Sequence, residues 1–350
     1  MKRDIKSMLP VELEEYFESI GEYKYRSKQV FSSLHKGVRK FSDMTNLGVS
    51  LREMLDKVFY ISSIGLIEKQ VSKDGTTSKY LWQLSDGEAI ECVLLEYEHG
   101  TSLCISSQVG CKMGCLFCAS SLDGFKRNLT ASEMLDQLLY TQLDLTPLMQ
   151  GGQRIKNVVV MGFGEPLDNF DNLIRFIHII NDKNGLNIGA RHITVSTCGI
   201  IENIDKLAEY DVQLTLAISL HAPDDDTRSY LIPSNKDAGV KALIEASKNY
   251  FNKTGRRITY EYAMIDGVND SPEQAAELSK IIRDTSSHLN LIVLSNVSER
   301  ELKPGSLSDS DAFIRILKKN RVNYTVRRSL GSDIEAACGQ LRRRRLHEMD

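Results

Sequence analysis

Apolar residues recur at three- and four-residue steps through the first sixty positions, with Leu13, Tyr16 and Phe17 in one group and Val30, Phe31 and Leu34 in another. This spacing predicts helices over 10–19, 24–36 and 50–59. The pattern then turns β-rich over 61–71, 79–84 and 88–97, broken at Asp74-Gly75 and Asp86-Gly87, which favour hairpin turns. It reads as a meander leading into a core. From Ser102 onward, candidate strands over 102–106, 157–161, 192–196, 214–220, 257–264 and 289–294 alternate with helical segments. That rhythm predicts an α/β architecture in which six βα units form a curved, open barrel behind the helical domain and the β-meander extension. Thr130-Ala-Ser-Glu133 reads as a capping box, and Met134, Leu135, Leu138, Leu139 and Leu143 line one face of the helix it opens. A helix over 309–319 and a strand over 322–327 precede a loop containing Cys338, and the only linker-like stretch is 146–153. The expected units are 1–60 (helical), 61–101 (β-rich), 102–341 (barrel core with the Cys338 loop) and 342–350 (basic tail).

At 350 residues, 41% hydrophobic and 26% charged, the chain can bury a full α/β core and is neither fibrous nor disordered. Its longest apolar runs, such as 158–161 and 291–294, are far too short to span a bilayer. Seven cysteines without a disulfide-like framework, and a start at Met1-Lys-Arg-Asp with no following apolar stretch, predict a reducing, cytoplasmic setting with no membrane. A net charge of -3 argues against a uniformly basic nucleic-acid binder. Local clusters still permit one: Lys126-Arg127, Arg256-Arg257, Arg327-Arg328 and Arg342-Arg-Arg-Arg345, each of which taken singly reads as a solvated face.

The sharpest chemical signal is CKMGCLFC at 111–118, in which Cys111, Cys115 and Cys118 stand at CxxxCxxC spacing. Three thiols can hold three irons of a cubane cluster and leave the fourth iron to a ligand from outside the protein, of which S-adenosylmethionine is the best-known. Structural zinc sites normally close with four protein ligands, so a zinc-binding cysteine cluster is the weaker reading. In parallel α/β folds, residues just after each strand face a common site. Here they are Gly162-Phe-Gly164-Glu165-Pro166, Ser196-Thr-Cys-Gly199 and Ser219-Leu220-His221. Gly162 and Gly164 would let the backbone approach a ligand, Glu165 could accept hydrogen bonds from an α-ammonium, and Ser196 and Ser219 could satisfy polar edges.

The ordered set CISSQVGCKMGCLFCAS, NVVVMGFGEPLDN, GARHITVST, AISLHAP and DIEAACGQL resembles the RlmN/Cfr family of radical S-adenosylmethionine RNA methyltransferases, from about residue 26 to 341. Pro166 resembles the branch that methylates C2 of an adenine; the C8-methylating, antibiotic-resistance branch tends to have alanine there. The resemblance implies a radical-SAM barrel carrying a [4Fe-4S] cluster on Cys111, Cys115 and Cys118, and S-adenosylmethionine contacts from Gly164, Glu165, Ser196, Ser219, Leu220 and His221. It implies that Cys338 takes a methyl group by polar displacement and delivers it as a methylene radical to C2. Glu91 then removes the C2 proton, and Cys104 attacks the Cys338 sulfur to release methylated RNA with formation of a disulfide. The implied partners are 23S rRNA and tRNA, bound by the N-terminal helical domain, and a flavodoxin- or ferredoxin-type reductant; a monomer is expected.

Read without that resemblance, Cys104 is a small hydrophobe in a β-run and Glu91 a solvent-facing strand carboxylate. Cys92 and Cys198 read as packing residues, and Phe117 as a shield for the cluster. One departure stands out: the family usually has NLIPxN after the sixth strand, its second asparagine contacting S-adenosylmethionine. Here the segment is NLIVLSN, so ungapped counting puts Ser295 at that site and a local shift would put Asn296 there. The competing functions are a C8 methyltransferase and a non-catalytic RNA-binding protein with a three-cysteine zinc site. Nucleoside mass spectrometry separates the first, and metal analysis the second.

Overall fold

The computed structural model describes residues 2–98, 100–145, 154–210, 212–285, 287–293, 302–303, 305, 311–327 and 331–334. The 146–153 linker, Ser295, Asn296, Cys338 and the 342–350 tail lie outside them.

At the N-terminus a short strand β1 (Arg3–Asp4) precedes helices α1 (Pro10–Ser19), α2 (Tyr25–His35) and α3 (Val49–Val58). Strand β2 (Phe59–Tyr60) returns to pair with β1 in parallel. Pro10 supplies a preset first turn for α1, and the Glu12 carboxylate accepts the Leu9 N–H at 2.7 Å. The predicted apolar faces are buried: Leu13, Phe17, Val30, Phe31, Leu34, Leu51 and Leu55 lie in one core that is continuous with that of the barrel. A meander follows, β3 (Gly65–Val71), β4 (Thr77–Gln83) and β5 (Ala89–Tyr97), then the first barrel strand β6 (Gly100–Ile105). A small antiparallel pair, β7 (Gln108–Gly110) with β8 (Phe125–Asn128), brackets the cysteine loop. Pattern alone did not reveal it, because its strands are too short to show a period.

The remaining chain alternates as expected. Helix α4 (Ala131–Leu145) leads to β9 (Ile155–Val160), α5 (Phe170–Asn181) to β10 (Ile193–Thr197), and α6 (Ile201–Glu209) to β11 (Thr215–Ser219). Helices α7 (Asp225–Leu231) and α8 (Gly239–Thr254) precede β12 (Thr259–Met264), α9 (Pro272–Asp284) precedes β13 (His288–Val293), and α10 (Asp311–Lys319) precedes β14 (Tyr324–Arg327). The predicted capping box is formed, with Thr130 N–H donating to Glu133 Oε2 at 2.9 Å and Glu133 N–H donating to Thr130 Oγ1 at 3.2 Å.

Strands run in the order β14-β13-β12-β11-β10-β9-β6-β5-β4-β3 in one sheet, parallel from β6 to β14 and antiparallel from β6 to β3. The sheet has two ends, so the barrel of six βα units is open. The meander continues that sheet instead of forming a layer of its own. Side chains alternate across it. Leu103, Ile105, Val158, Val160, Val195, Leu216, Ile218, Tyr260, Tyr262 and Leu291 pack outward into the main core under the helices. The opposite, inward face carries Cys104, Ser196, Ser219, Glu261 and Asn290, whose partners in register place them on a common surface. A continuous apolar seal on one face and a polar lining on the other make the lumen the place for chemistry.

Polar contacts seat the helical unit on the barrel, among them Ser132 of α4 to Asp4 and Ser7. Lys6 Nζ pairs with Asp136 of α4, both buried, and Arg175 of α5 bonds Glu12 and the Ser7 carbonyl.

Candidate active site

Cys111, Cys115 and Cys118 sit on the loop between β7 and β8, and Ser121 Oγ ties it internally by donating to the carbonyls of Cys115 and Cys118 at 3.1 and 3.0 Å. Leu116 N–H donates to the Leu231 carbonyl at 2.9 Å, pinning the loop to the end of α7. Behind it lies a separate apolar cluster of Cys198, Leu231, Ile232 and Ile265, against which Met113, Cys115 and Phe117 pack. Burial pushes the Cys111 thiol up to about 12, and burial with the neighbouring Cys118 and Cys111 thiols holds Cys115 well above the ordinary thiol range. Such thiols lose their protons when a cation compensates the thiolate charge. Among the described residues no three His, Cys, Asp or Glu side chains converge on one ion position. A cubane takes one thiolate per iron and needs no such convergence, so three mutually coupled thiols on one half-dry loop fit that group.

The strand-end residues come together as predicted, though several are held differently. Gly164 has φ +95, and a Cβ there would stand 2.4 Å from Gln108 Cβ; a Cβ on Gly162 would meet the Ile105 carbonyl oxygen at 2.7 Å. Close packing, of Gly162 on Ile105 at the end of β6 and of Gly164 on Gln108 of β7, by itself requires glycine at both positions. Glu165 is buried, its Oε1 accepting from Leu167 N–H at 3.0 Å and its Oε2 from Cys198 N–H at 2.8 Å. Burial raises its pKa, opposed by those backbone hydrogen bonds and by further ones from the Thr197 and Cys198 side chains. Ser196 and Ser219 face each other with hydroxyl oxygens 3.3 Å apart. Leu220 and His221 donate backbone N–H groups to the Glu261 carbonyl at 3.1 and 3.2 Å.

His221 adopts φ 55 and is buried, with Nδ1 accepting the Ala263 N–H at 2.9 Å. That bond leaves the proton on Nε2 of a neutral ring. Burial, helped by Arg228, lowers its pKa to about 3. Phe117 packs edge-on to this imidazole at 4.6 Å, so the expected shield lies against a candidate cofactor residue.

Across the lumen, Cys104 is registered with Val93 on one side and Val159 on the other, and it is half-buried. Glu91, two residues from Val93, shares that inward face. It is buried, not solvent-facing, and its carboxylate pairs with Lys79 Nζ at 3.0 Å, Lys79 being 0% exposed. Cys92 points to the other side and packs under Trp82, as expected, and Cys198 is likewise buried.

Three site-facing groups escaped the sequence reading: Lys79, Arg228 and Glu261. Glu261 lies opposite Ser219 in register, accepts from Asn290 Nδ2 at 3.0 Å and, among the described residues, leaves Oε2 without a hydrogen-bond partner. Strand alternation around Glu261 carried the only available signal. Of the basic pairs, Arg127 is engaged by Asp86 and Glu133, and so is structural.

An open six-unit barrel with three thiols after its first strand defines a radical SAM protein, and residues 105–279 match the radical SAM superfamily. Residues 4–61 match the ribosomal RNA large subunit methyltransferase N-terminal domain. The chain belongs to the RlmN family. It is 48% identical to the probable dual-specificity RNA methyltransferase RlmN of Alkaliphilus oremlandii over 99% of each chain. Against the protein of the same description from Lachnoclostridium phytofermentans it is 47% identical, over 98% of this chain and 95% of the other. The crystal structure of a radical SAM methyltransferase from Sphaerobacter thermophilus superposes with a TM-score of 0.90 at 39% identity, covering 97% of this chain and 98% of that one.

Proposed function

We propose that this chain methylates C2 of an adenosine in 23S rRNA, and an adenosine in tRNA, with a [4Fe-4S] cluster on Cys111, Cys115 and Cys118 and two S-adenosylmethionine molecules. The observation that carries the reading is Cys104: a thiol on the inward face of the strand that runs into the three-thiol loop, beside a buried carboxylate at Glu91.

Adenine C2 is an electron-poor carbon that cannot attack a methyl sulfonium directly. When bound, the cluster and S-adenosylmethionine would supply the radical that removes a hydrogen atom from the carried methyl group and would take back the one electron left on the base adduct once the C2 proton is lost, which is the radical chemistry such a carbon requires. The chain's own residues do the rest. Cys338 carries the methyl group as a thioether and becomes joined through it to the base. Glu91, oriented by Lys79, takes the C2 proton. Cys104 attacks the Cys338 sulfur; the sulfur–carbon bond breaks toward the methylated base, which takes up a proton, and the resulting disulfide is reduced by an external thiol before the next turnover.

Gly164, Glu165, Ser196, Ser219, Leu220 and His221 would surround the cofactor, with Ser295 replacing the family's asparagine. Ser295→Ala should then weaken cofactor binding by roughly 1 kcal/mol, and more than Asn296→Ala does. The target base enters flipped from its stack. The helical unit 1–60 holds the RNA, 61–101 extends the sheet, 102–341 houses the reaction and the basic tail 342–350 adds phosphate contacts. A flavodoxin- or ferredoxin-type donor supplies electrons to a cytoplasmic monomer.

The deciding experiment is nucleoside mass spectrometry of 23S rRNA and tRNA from a deletion strain and its parent. Loss of 2-methyladenosine supports the reading. Loss of 8-methyladenosine instead assigns the C8 reaction, and identical RNA from both strains refutes methylation by this chain.

A further inference from the structure

Arg228 is buried at 2% exposure, yet among the described residues its guanidinium donates only to neutral acceptors. It donates to the carbonyls of Leu220 and Ser219, each at 3.1 Å, to the Cys198 carbonyl and to Asn235 Oδ1. Among the described residues its nearest acidic neighbour acts through an intermediary: Asn235 Nδ2 donates to Asp225 Oδ1 at 3.1 Å, and Asp225 itself is exposed. A guanidinium this dry is ordinarily paired with a full negative charge, because hydrogen bonds to carbonyls do not recover the cost of taking a cation out of water.

The missing charge has a place to come from. Arg228 stands one helical turn before Leu231, whose carbonyl holds Leu116 of the cysteine loop. Cys115, Cys198 and Leu231 share the small apolar cluster next to it, and Arg228 lies within electrostatic reach of both thiols. Little water intervenes to screen a charge on that side of the loop.

We propose that Arg228 is the counter-cation of the iron–sulfur cluster and holds its reduction potential up. The inference rests on the cluster reading given above. A cubane bound by three thiolates is anionic. Its one-electron reduction, by a small electron donor, adds one more negative charge without making or breaking a bond. A fixed cation in a low-dielectric wall stabilises the reduced form more than the oxidised form. Asp225, the outer acidic residue, acts in the opposite sense.

The test is an electron-paramagnetic-resonance redox titration of anaerobically reconstituted full-length protein, with dithionite and mediator dyes, alongside iron and sulfide counts. Arg228→Gln should reduce the reduced-to-oxidised ratio at fixed potential by at least about tenfold, a 59 mV fall for one electron. Arg228→Lys, which keeps the charge, should recover more than half of that shift. Asp225→Asn should move the midpoint upward by about two- to threefold in the same ratio, and it serves alone if Arg228→Gln does not fold. A fully loaded Arg228→Gln protein with the wild-type midpoint overturns the proposal, as do equal shifts in the glutamine and lysine variants or an unmoved Asp225→Asn midpoint. Wild-type protein that takes up no cluster refutes the cluster reading itself, and the proposal with it.

Discussion

Lys79 and Glu91 form a diagonal ion pair across β4 and β5, 3.0 Å long and closed to water on both sides. Two charges removed from solvent are tolerable together and costly apart. Lys79→Met should therefore destabilise the fold by about 3–5 kcal/mol in urea unfolding, with Lys79→Met/Glu91→Leu recovering much of the loss. Additive single effects would show that the pair is not coupled.

Glu91→Gln leaves the buried Lys79 charge uncompensated and should cost stability, but the folded fraction is expected to bind its cluster and yet stop product release, since an amide cannot take the C2 proton. The measurement is single-turnover methylation followed by nucleoside mass spectrometry, and undiminished methylated adenosine removes Glu91 as the base.

Cys104→Ala should retain the cluster and consume S-adenosylmethionine for the early steps, then stall as protein covalently attached to RNA. The adduct appears as a nuclease-sensitive slow band on a denaturing gel, and it should vanish in Cys338→Ala and in the double variant. Normal turnover by Cys104→Ala, or an equal band from the double variant, contradicts a carrier-and-resolver pair.

Cys115→Ala removes a thiol embedded in the apolar cluster behind the loop, leaving two ligands for a cubane. Anaerobic reconstitution followed by iron and sulfide counting should find little cluster and no methylation. Full methylation by cluster-free protein would sink the radical assignment.

His221 sets a pH dependence. Its folded pKa, about 3, lies below the ordinary 6.5, so the unfolded chain binds the extra proton between those values. The stability it contributes is complete above about pH 6.5 and is lost as pH falls toward 3, by up to about 1.4 kcal/mol per unit. Asparagine tolerates the positive φ, so His221→Asn is the variant to compare. Its stability should fall less steeply than wild type between pH 6.5 and 5 in denaturant titrations. Measuring the difference cancels the similar contribution of buried His35 and the opposite one of Asp136, whose burial raises it to about 7. Parallel slopes in both proteins would mean that the ring is not buried neutral.

What the sequence revealed about this site depended on how local each signal was. The thiol spacing, the Thr130 to Glu133 cap and the strand-helix rhythm are set by neighbours in the chain, and all three are formed. Glu91 read as a solvent-facing strand carboxylate, and Lys79, Arg228 and Glu261 drew no reading, because their burial is imposed by segments outside their own elements. Glu91 is dry because the meander continues the barrel sheet, a pairing between segments that period and propensity do not encode. The Gly162 and Gly164 pair was legible as special, but the packing part of the reason was not, since the atoms that fill their empty sides belong to Ile105 and Gln108.

The strand β6 is bonded on both flanks, to β5 and to β9, with Cys104 in register on each side. A residue so placed has no hinge to swing on and no frayed edge to follow. On the proposed mechanism, a sulfur that exchanges with Cys104 would have to come to a partner fixed in place, so the exchange would be governed by its approach.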